Sequence, residues 1–393
     1  MAKIEQKIKF FLDERKELNT LRKIRKLRIS SSNHCEFRKK KLINFSSNDY
    51  LGLSKHPYMV SESLKWLEKF GTSFSASRLV CGTSAEVVEI EEKIAEWKAT
   101  ESSIIVGSGY LANCGAIPAL AGRKTAIFAD KLNHASLNVG CIQSGAEFNR
   151  YRHLDLEHLE NLLRNSQAEE KLIVSDTIFS MDGDIAEIQK LYVLSEKYDA
   201  MLYLDDAHAS GVFGKRGEGS SLDFVEDFSR MIVMGTFSKG MGAYGAYIAG
   251  TRNNIDYLVN TCGSFIYSTA LPPSAYGAIN ASIDLVQKKE LRQAAKNLLQ
   301  NSAELLSELE KHKFDCGNSE SQIIPIIIGD SAKTIRFTER LIEKGILAVP
   351  IRPPTVPQNS SRIRISLNTA HSKEDIKTLS SKLICLFHEI SAA

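Results

Sequence analysis

The chain has 393 residues, of which 43% are hydrophobic and 25% charged, an ordinary composition for a globular protein. Its length predicts a large domain together with a smaller one. No apolar run approaches the ~18 residues that a membrane span needs, so we expect no membrane association. The seven cysteines form no Cys-x-x-Cys pair and the nine histidines show no ligand spacing, which argues against a disulfide framework and against a bound metal.

The net charge of +3 is unevenly distributed, because residues 1–41 hold 14 Lys and Arg against 5 Asp and Glu. Such a basic arm could bind nucleic acid or act as a targeting peptide. The acids at Glu5, Asp13 and Glu14 argue against a transit peptide, and no aromatic residues are spaced as a stacking platform for nucleic acid. An odd number of cysteines indicates free thiols in a reducing compartment, which predicts a cytoplasmic protein.

The first half of the chain begins with apolar residues at helical spacing, which predict a helix over the first ~25 residues. Residues 44–53 are then predicted to form a strand followed by a polar turn. A capping box at 83–86 opens the next helix. After a short strand at 104–106, small residues lead into a further helix, so the backbone N–H groups of Gly109 and Tyr110 are predicted to bind an anion such as phosphate.

The rest of the chain alternates strands with helices, which indicates an α/β protein with a mostly parallel central sheet flanked by helices. A long helical stretch over 273–311 leads to a smaller C-terminal α+β domain. There, strands at 323–328, 347–351 and 362–367 alternate with helices at 332–344 and 372–388. The predicted division is an N-terminal helical arm at 1–43, a large domain at 44–285 and a small domain at 286–393.

Lys239 follows a short apolar strand and stands among hydroxyl-bearing and small residues, as at the end of a buried strand in a ligand crevice. A lysine that loses hydration there has a lowered pKa, and its free amine can react with a carbonyl. Schiff-base chemistry is the function that this setting favours. A surface lysine after a turn is the alternative from these residues alone.

A second apolar run ends in Asp205, Asp206, Ala207 and His208. A buried aspartate needs a partner, and the protonated ring nitrogen of pyridoxal phosphate (PLP) is one. His208 could reach the phenolic oxygen of the same ring. Either residue alone is more often structural, but together with Lys239 they predict a PLP site.

The sequence around these residues resembles the α-oxoamine synthases, a family of fold-type-I PLP enzymes. The resemblance extends from about Leu12 to the C-terminal helix, and its motifs occur in the family's order. They are the segments at 45–53, 205–208 and 236–239. The implied fold is that of a fold-type-I PLP transferase.

The resemblance implies further site residues. Lys239, His134 and Asp205 are expected to be catalytic, with His134 stacked on the PLP ring and touching the substrate. The expected cofactor contacts are Gly109, Tyr110, His134, Ser180, Asp205, His208, Thr236, Lys239, Ser268 and Thr269. The expected substrate contacts are Arg22, Asn48, His134, Arg352 and Thr355. Lys23 and Arg25 compete with Arg22 for its role.

Arg352 lies between an apolar strand and a proline-rich loop that presents it rigidly. Its guanidinium can bind a carboxylate through two parallel hydrogen bonds, so we expect it to hold the carboxylate of an amino acid. Ser268 and Thr269 match a segment that in the family lends a hydroxyl to the phosphate of the neighbouring subunit, which implies a homodimer with a shared active site.

Four positions depart from the family's pattern. Phe74 and Ala76 occupy a loop that is usually richer in glycine, and Val87 stands where histidine is usual. Asp176 replaces the glutamate usual in the most similar synthases, so that carboxylate is one methylene shorter.

The implied reaction is a decarboxylative condensation between an amino acid and an acyl thioester. The segment 351–357 is most like that of members that join L-alanine to a pimeloyl thioester. The alternatives are sister synthases, namely glycine C-acetyltransferase, 5-aminolevulinate synthase and serine palmitoyltransferase. A non-catalytic subunit with the PLP-enzyme fold is an alternative of another class.

Overall fold

The structure is a computed structural model that describes residues 2–220, 225 and 227–391. Its helices are α1 (Lys3–Glu17), α2 (Pro57–Phe70), α3 (Ala85–Lys98), α4 (Gly109–Leu120), α5 (Ala135–Gln143), α6 (Leu156–Asn165), α7 (Ile188–Lys197), α8 (Arg252–Thr261), α9 (Gly263–Ile266), α10 (Pro273–Val286), α11 (Lys289–Lys311), α12 (Ser331–Glu343) and α13 (Lys373–Ser391). Its strands are β1 (Arg28–Ile29), β2 (His34–Phe37), β3 (Lys40–Asn44), β4 (Ser102–Val106), β5 (Thr125–Asp130), β6 (Glu147–Tyr151), β7 (Glu170–Asp176), β8 (Met201–Asp205), β9 (Met231–Thr236), β10 (Ala246–Gly250), β11 (Ile323–Gly329), β12 (Ile346–Leu347), β13 (Val349–Ile351) and β14 (Ser361–Ser366).

The described residues divide into two compact units. The terminal unit comprises those of Met1–Ser47, Met181–Gly183 and Asn297–Ala393. The large unit comprises those of Asn48–Ser180 and Asp184–Lys296.

The large unit is built on a seven-stranded sheet with the order β4-β10-β9-β8-β7-β5-β6. Strands β9, β8, β7, β5 and β6 are parallel, whereas β10 runs antiparallel to both of its neighbours. In the register, Asp205 lies opposite Asp176 on one side and opposite Met234 on the other. The carboxyl ends of β7, β8 and β9 therefore end side by side, where polar groups of a parallel sheet form a ligand site. The predicted α/β class with a mostly parallel sheet is confirmed.

Both faces of the central strands of this sheet are buried, as expected for parallel strands covered by helices. Along β8, Tyr203 belongs to the apolar cluster with α4, α5 and α8 on one face. Leu202 and Leu204 belong to the cluster with α6 and α7 on the other face. Because successive side chains point to opposite faces, the whole strand is apolar until it ends at Asp205.

The terminal unit contains two smaller sheets. One has the order β1-β2-β3-β12, and the other has the order β11-β14-β13. The predicted strand at 347–351 is therefore wrong as a single element, because Leu347 pairs with β3 while Val349 and the residues after it pair with β14.

The prediction of a helix over the first ~25 residues is wrong in length. Helix α1 ends at Glu17, and Asn19 takes a left-handed conformation with φ of 54°. The N–H groups of Thr20 and Leu21 both donate to Arg15 O at 2.9 Å, which closes the helix end. No residue of α1 is buried, and its apolar side chains, such as Ile4 at 73%, are exposed.

Two other boundaries and one helix cap differ from prediction. The strand expected within 44–53 ends at Asn44, where β3 ends. The helical stretch at 273–311 is interrupted between α10 and α11, where Lys288 N–H bonds to Leu285 O at 3.0 Å. Helix α3 begins as predicted, but Thr83 does not cap it, because its hydroxyl donates to Arg78 O (2.8 Å) and accepts from Arg78 Nε (2.7 Å).

No helix in the described part of the chain combines the length and the apolar character needed to cross a bilayer.

Candidate active site

Lys239 lies in the turn that follows β9. Backbone hydrogen bonds close this turn, from Gly242 N–H to Lys239 O (2.9 Å) and from Ala243 N–H to Phe237 O (2.8 Å). Gly242 has a φ of +64°, and a Cβ there would lie 2.6 Å from Ser54 N, so both the conformation and the close approach require glycine. The half-buried lysine is thus carried on a tightly constrained loop.

Thr236 shapes the same turn. Its hydroxyl donates to Gly245 O at 2.8 Å, and its oxygen accepts from Ser238 N–H at 3.2 Å. The Thr236 proton is therefore used inside the chain, and its contact with a cofactor stays a prediction.

Asp205 and Asp206 are adjacent at the end of β8 but have different partners. The oxygens of Asp205 accept from Ala207 N–H (3.0 Å) and from Asn113 Nδ2 (2.8 Å). Asp206 is fully buried and pairs with Lys98 Nζ at 3.1 Å. Of the two acids, Asp205 lines the cavity described below, and Asp206 neutralises a buried lysine.

His134 directly precedes α5 and lies next to the carboxyl end of β7. Its backbone N–H donates to Asp176 Oδ2 at 2.6 Å, and its Nδ1 lies 2.7 Å from Ser136 Oγ. Burial lowers the pKa of His134, which favours a neutral ring. Burial also raises the pKa of Asp176 well above its usual value, and the nearby charge of Asp205 adds to this rise.

Gly109 and Tyr110 are the first two residues of α4. Ser108 caps the helix, because its Oγ accepts from Leu111 N–H at 3.3 Å. The N–H groups at the first two helical positions have no acceptor within a helix, so they are available for an anion.

His208 is buried, and its Nδ1 lies 2.7 Å from the Tyr50 hydroxyl. The same hydroxyl donates to Asn48 Oδ1 at 3.2 Å. Asn48 is thus linked to His208 through Tyr50, a residue that sequence reasoning did not single out for a role.

One cavity of about 240 Å³ in the large unit brings many of these groups together. Its lining includes Gly109, Tyr110, His134, Asp205, His208, Thr236 and Lys239, all of them predicted site residues. It is smaller than the roughly 300–1,000 Å³ of sites for drug-sized ligands, which suits a single substituted ring.

The cavity offers a partner for three parts of PLP. The helix start at Gly109 suits its phosphate, the acceptor Asp205 suits its ring N–H, and the Lys239 amine suits its aldehyde carbon. The residues present therefore fit the cofactor.

Three predicted cofactor contacts are not among the residues that line this cavity. Ser180 lies in the loop between Ile178 and Ile185, which form an isolated antiparallel bridge. Ser268 and Thr269 line a separate small cleft with Arg78, Gly107, Phe265 and Tyr276. Their roles stay predictions.

Three predicted substrate contacts form a group in the terminal unit. Arg22 Nη2 donates to Thr355 Oγ1 at 2.8 Å, and Arg352 Nη1 donates to the backbone oxygen of Asn19. Burial lowers the pKa of Arg352, and the charges of Arg22 and Arg25 lower it further. Several guanidinium groups thus lie close together, an arrangement suited to an anionic ligand.

The departures from the family's pattern are accommodated by packing. Val87 is fully buried on the same face of α3 as Ile90, as expected for an apolar residue. Phe74 packs against Phe70 and Tyr276, with ring centroids 5.5 and 5.9 Å away. The structure thus gives both substituted side chains apolar partners.

The sheet is mostly parallel and has helices on both faces, and its strand ends bring a lysine, an aspartate and a helix start around one cavity. This combination defines a fold-type-I PLP enzyme. The comparisons with known proteins agree. The family model "Aminotransferase class I and II" matches residues 40–383.

A curated relative from Bacillus cereus (strain Q1), described as "Putative 8-amino-7-oxononanoate synthase", is 46% identical over 353 residues and covers 89% of each chain. Among solved structures, a serine palmitoyltransferase variant from S. paucimobilis with a bound PLP–myriocin adduct has a TM-score of 0.93 and 26% identity, with 100% of both chains covered. An 8-amino-7-oxononanoate synthase from Francisella tularensis has a TM-score of 0.77 and 25% identity, covering 90% of this chain and 99% of that one.

The chain therefore belongs to the aminotransferase class I and II family and, within it, to the α-oxoamine synthases. It is a PLP-dependent acyltransferase. The alternative of a non-catalytic subunit is set aside.

Proposed function

We propose that the protein condenses L-alanine with a pimeloyl thioester, of coenzyme A or of an acyl-carrier protein, to give 8-amino-7-oxononanoate, CO2 and the free carrier, as a step of biotin biosynthesis. The observation that carries this proposal is the 46% identity over 89% of both chains with relatives described as 8-amino-7-oxononanoate synthases. A sister synthase acting on other substrates is the second candidate, favoured by the TM-score of 0.93 with a serine palmitoyltransferase.

Bound PLP supplies an electron sink that stabilises negative charge at the α-carbon of the amino acid. The protein's residues then have separate tasks. Lys239 Nζ holds the cofactor and moves the α-proton, because its amine is carried on a constrained turn at the cavity. Asp205 accepts the ring N–H and keeps the ring cationic, while the amides of Gly109 and Tyr110 hold the phosphate.

His134 stacks on the ring and orients the substrate. Arg352 binds the carboxylate of alanine through its planar fork. Arg22 and Thr355, which are hydrogen-bonded to each other at 2.8 Å, bind the acyl substrate, and Asn48 adds a further substrate contact.

The remaining cofactor contacts, Ser180, His208, Thr236, Ser268 and Thr269, follow the family resemblance. We further propose a cytoplasmic homodimer with a shared active site. We divide its chain into an arm at 1–43, a cofactor domain at 44–285 and a C-terminal domain at 286–393.

The test is a matrix of amino acids against acyl thioesters, read by CO2 release and by mass spectrometry of the ketone product. We expect the highest kcat/KM with L-alanine and pimeloyl thioester. Serine with a long-chain thioester, glycine with acetyl thioester and glycine with succinyl thioester represent the sister enzymes. A higher kcat/KM for any of these pairs would assign the protein to that sister activity, and the variant Lys239→Ala is the negative control.

A further inference from the structure

Asn113 is a fully buried residue of α4 that joins the two sides of the candidate site. Its Nδ2 donates to Asp205 Oδ2 at 2.8 Å and to Ser136 Oγ at 2.9 Å. Its Oδ1 accepts from the Tyr203 hydroxyl at 2.9 Å. A single side-chain amide thus contacts the acid expected to bind the cofactor ring and a serine next to His134.

The orientation of this amide is determined by its partners. Burial raises the pKa of Tyr203 well above its usual value, so its hydroxyl keeps its proton and can donate to the amide oxygen. A rotated amide would place its oxygen against the Asp205 carboxylate, acceptor against acceptor. Both N–H groups of Asn113 must therefore point at Asp205 and Ser136.

The orientation of the Asn113 amide also determines the hydrogen bonding of His134, because Ser136 lies between the two residues. Because Ser136 Oγ already accepts from Asn113, its own proton is available for His134 Nδ1, which lies 2.7 Å away. The Ser136 backbone N–H also donates to this nitrogen, at 3.3 Å. With two donors directed at it, Nδ1 must present a lone pair, so the proton of the neutral ring is on Nε2.

We propose that Asn113 is a positioning residue that holds Asp205 as a hydrogen-bond acceptor and, through Ser136, fixes the Nε2–H tautomer of His134. The proposal rests on the proposed function only for the roles of Asp205 and His134 in the reaction. It means that His134 offers the substrate an N–H donor, so the atom that it contacts is an acceptor such as a carboxylate or carbonyl oxygen.

The test uses the PLP-loaded protein labelled with 15N-histidine, in which NMR distinguishes protonated from unprotonated ring nitrogens. The variant His134→Gln identifies the signals of His134 among the nine histidines. We expect an unprotonated Nδ1 and a protonated Nε2 in the natural protein. The opposite tautomer would overturn the proposal without any further variant.

Two variants test separately the hydrogen bond from Asn113 to Asp205 and the contact of Ser136 with His134. Ser136→Ala removes the hydroxyl donor to Nδ1 and keeps the weaker backbone N–H donor, so a fraction of His134 should adopt the Nδ1–H tautomer. PLP affinity should change less than about threefold, because the hydrogen bond from Asn113 to Asp205 stays. Asn113→Leu should disturb the His134 tautomer and also weaken PLP binding about tenfold or more, the effect of one lost hydrogen bond to a charged group. An unchanged tautomer in Ser136→Ala, or unchanged PLP affinity in a folded Asn113→Leu, would overturn it.

Ser175→Ala is the matched control. Ser175 is equally buried, but its hydroxyl donates to Asp176 O at 2.8 Å and not to the Asn113 network, so this variant should leave the His134 tautomer unchanged. Should Asn113→Leu fail to fold, the smaller truncation Asn113→Ala replaces it and should have the same two effects, because it also removes the donors to Asp205 and Ser136. An unchanged His134 tautomer together with unchanged PLP affinity in Asn113→Ala would overturn the proposal. Tautomer and PLP affinity do not depend on the amino acid or thioester used, so these outcomes are independent of the substrate assignment.

Discussion

The adjacent acids Asp205 and Asp206 allow a paired experiment, because one contacts the cofactor cavity and the other a buried lysine. We predict that Asp205→Asn removes most activity with a modest loss of stability, whereas Asp206→Asn mainly destabilises the fold. Both changes replace one carboxylate with an amide of the same shape. The difference between them therefore reports the surroundings of each side chain.

The magnitudes follow from these surroundings. An opposite charge nearby shifts a pKa by about 1–3 units, so without Asp205 the pKa of the PLP ring nitrogen should fall by that amount. At 1.36 kcal/mol per unit this corresponds to a loss of about 10- to 1,000-fold in kcat/KM. The new amide also places an N–H group against Asn113 Nδ2 or Ala207 N–H, a mismatch that costs about 1–3 kcal/mol.

Asp206→Asn leaves the charge of Lys98 unpaired, although the Lys98 side chain is only 1% exposed. Breaking a buried ion pair on one side costs about 3–5 kcal/mol. Burial opposes the charge of Lys98, but Tyr247 and Asp206 together raise its pKa above the usual value, so the lysine stays charged and needs its partner.

The assay combines urea unfolding, a pH titration of the bound PLP absorbance, and kcat/KM. Asp205→Asn should move the PLP titration, and Asp206→Asn should lower the free energy of unfolding while the titration of its folded fraction stays in place. Equal titration curves for Asp205→Asn and the natural protein would refute the assignment of Asp205 to the ring nitrogen. A larger shift of the PLP titration in Asp206→Asn than in Asp205→Asn would mean that Asp206, and not Asp205, contacts the ring nitrogen.

Three further predictions concern residues elsewhere in the site and in the fold. Lys239→Ala should abolish turnover yet leave a folded protein that binds PLP non-covalently, measured by activity and by PLP retention on gel filtration; normal product formation would contradict the assignment. Arg352→Lys should weaken alanine binding by roughly 1.5–3 kcal/mol, because lysine lacks the planar fork, and an equal rise of KM for both substrates would count against it. His153 lies 2.9 Å from both Asp130 and Asp184, and although burial opposes its charge, these hydrogen bonds raise its pKa to about 9. A raised pKa stabilises the folded protein at pH values below the unfolded pKa near 6.5, and this stabilisation is lost as the pH rises through about 9. The free energy of unfolding should therefore fall by about 2 kcal/mol between about pH 7 and 10. This fall should be absent in His153→Gln.

The sheet and the elements around the site could be predicted from sequence because their signals are local. Strands β4, β8 and β9 each contain a short apolar run, and Gly109, Asp205 and Lys239 follow these three runs. Parallel strands bring these ends to one edge, so the cavity follows from the pattern alone.

Other features could not be predicted, because they depend on contacts between distant parts of the chain. The different partners of Asp205 and Asp206 could not be predicted, because Asn113 and Lys98 lie 92 and 108 residues away in sequence. Asn113 itself sits in an apolar helix with no motif around it. Thr83 was predicted to take part in a helix cap, and instead its hydroxyl accepts a hydrogen bond from Arg78 Nε at 2.7 Å.

Asp176 shows how a departure from the family can leave the site intact. Asp176 pairs with Asp205 in the register of β7 and β8, so a glutamate at this position would extend further from the same backbone position. The shorter carboxylate contacts the backbone N–H of His134 at 2.6 Å, and its raised pKa limits the negative charge placed next to Asp205. Asp176 therefore supports the backbone that carries His134, a task that requires a nearby acceptor and not the reach of glutamate. Since His134 is also fixed by Ser136, its ring is held from two directions, and the missing methylene is compatible with the proposed chemistry.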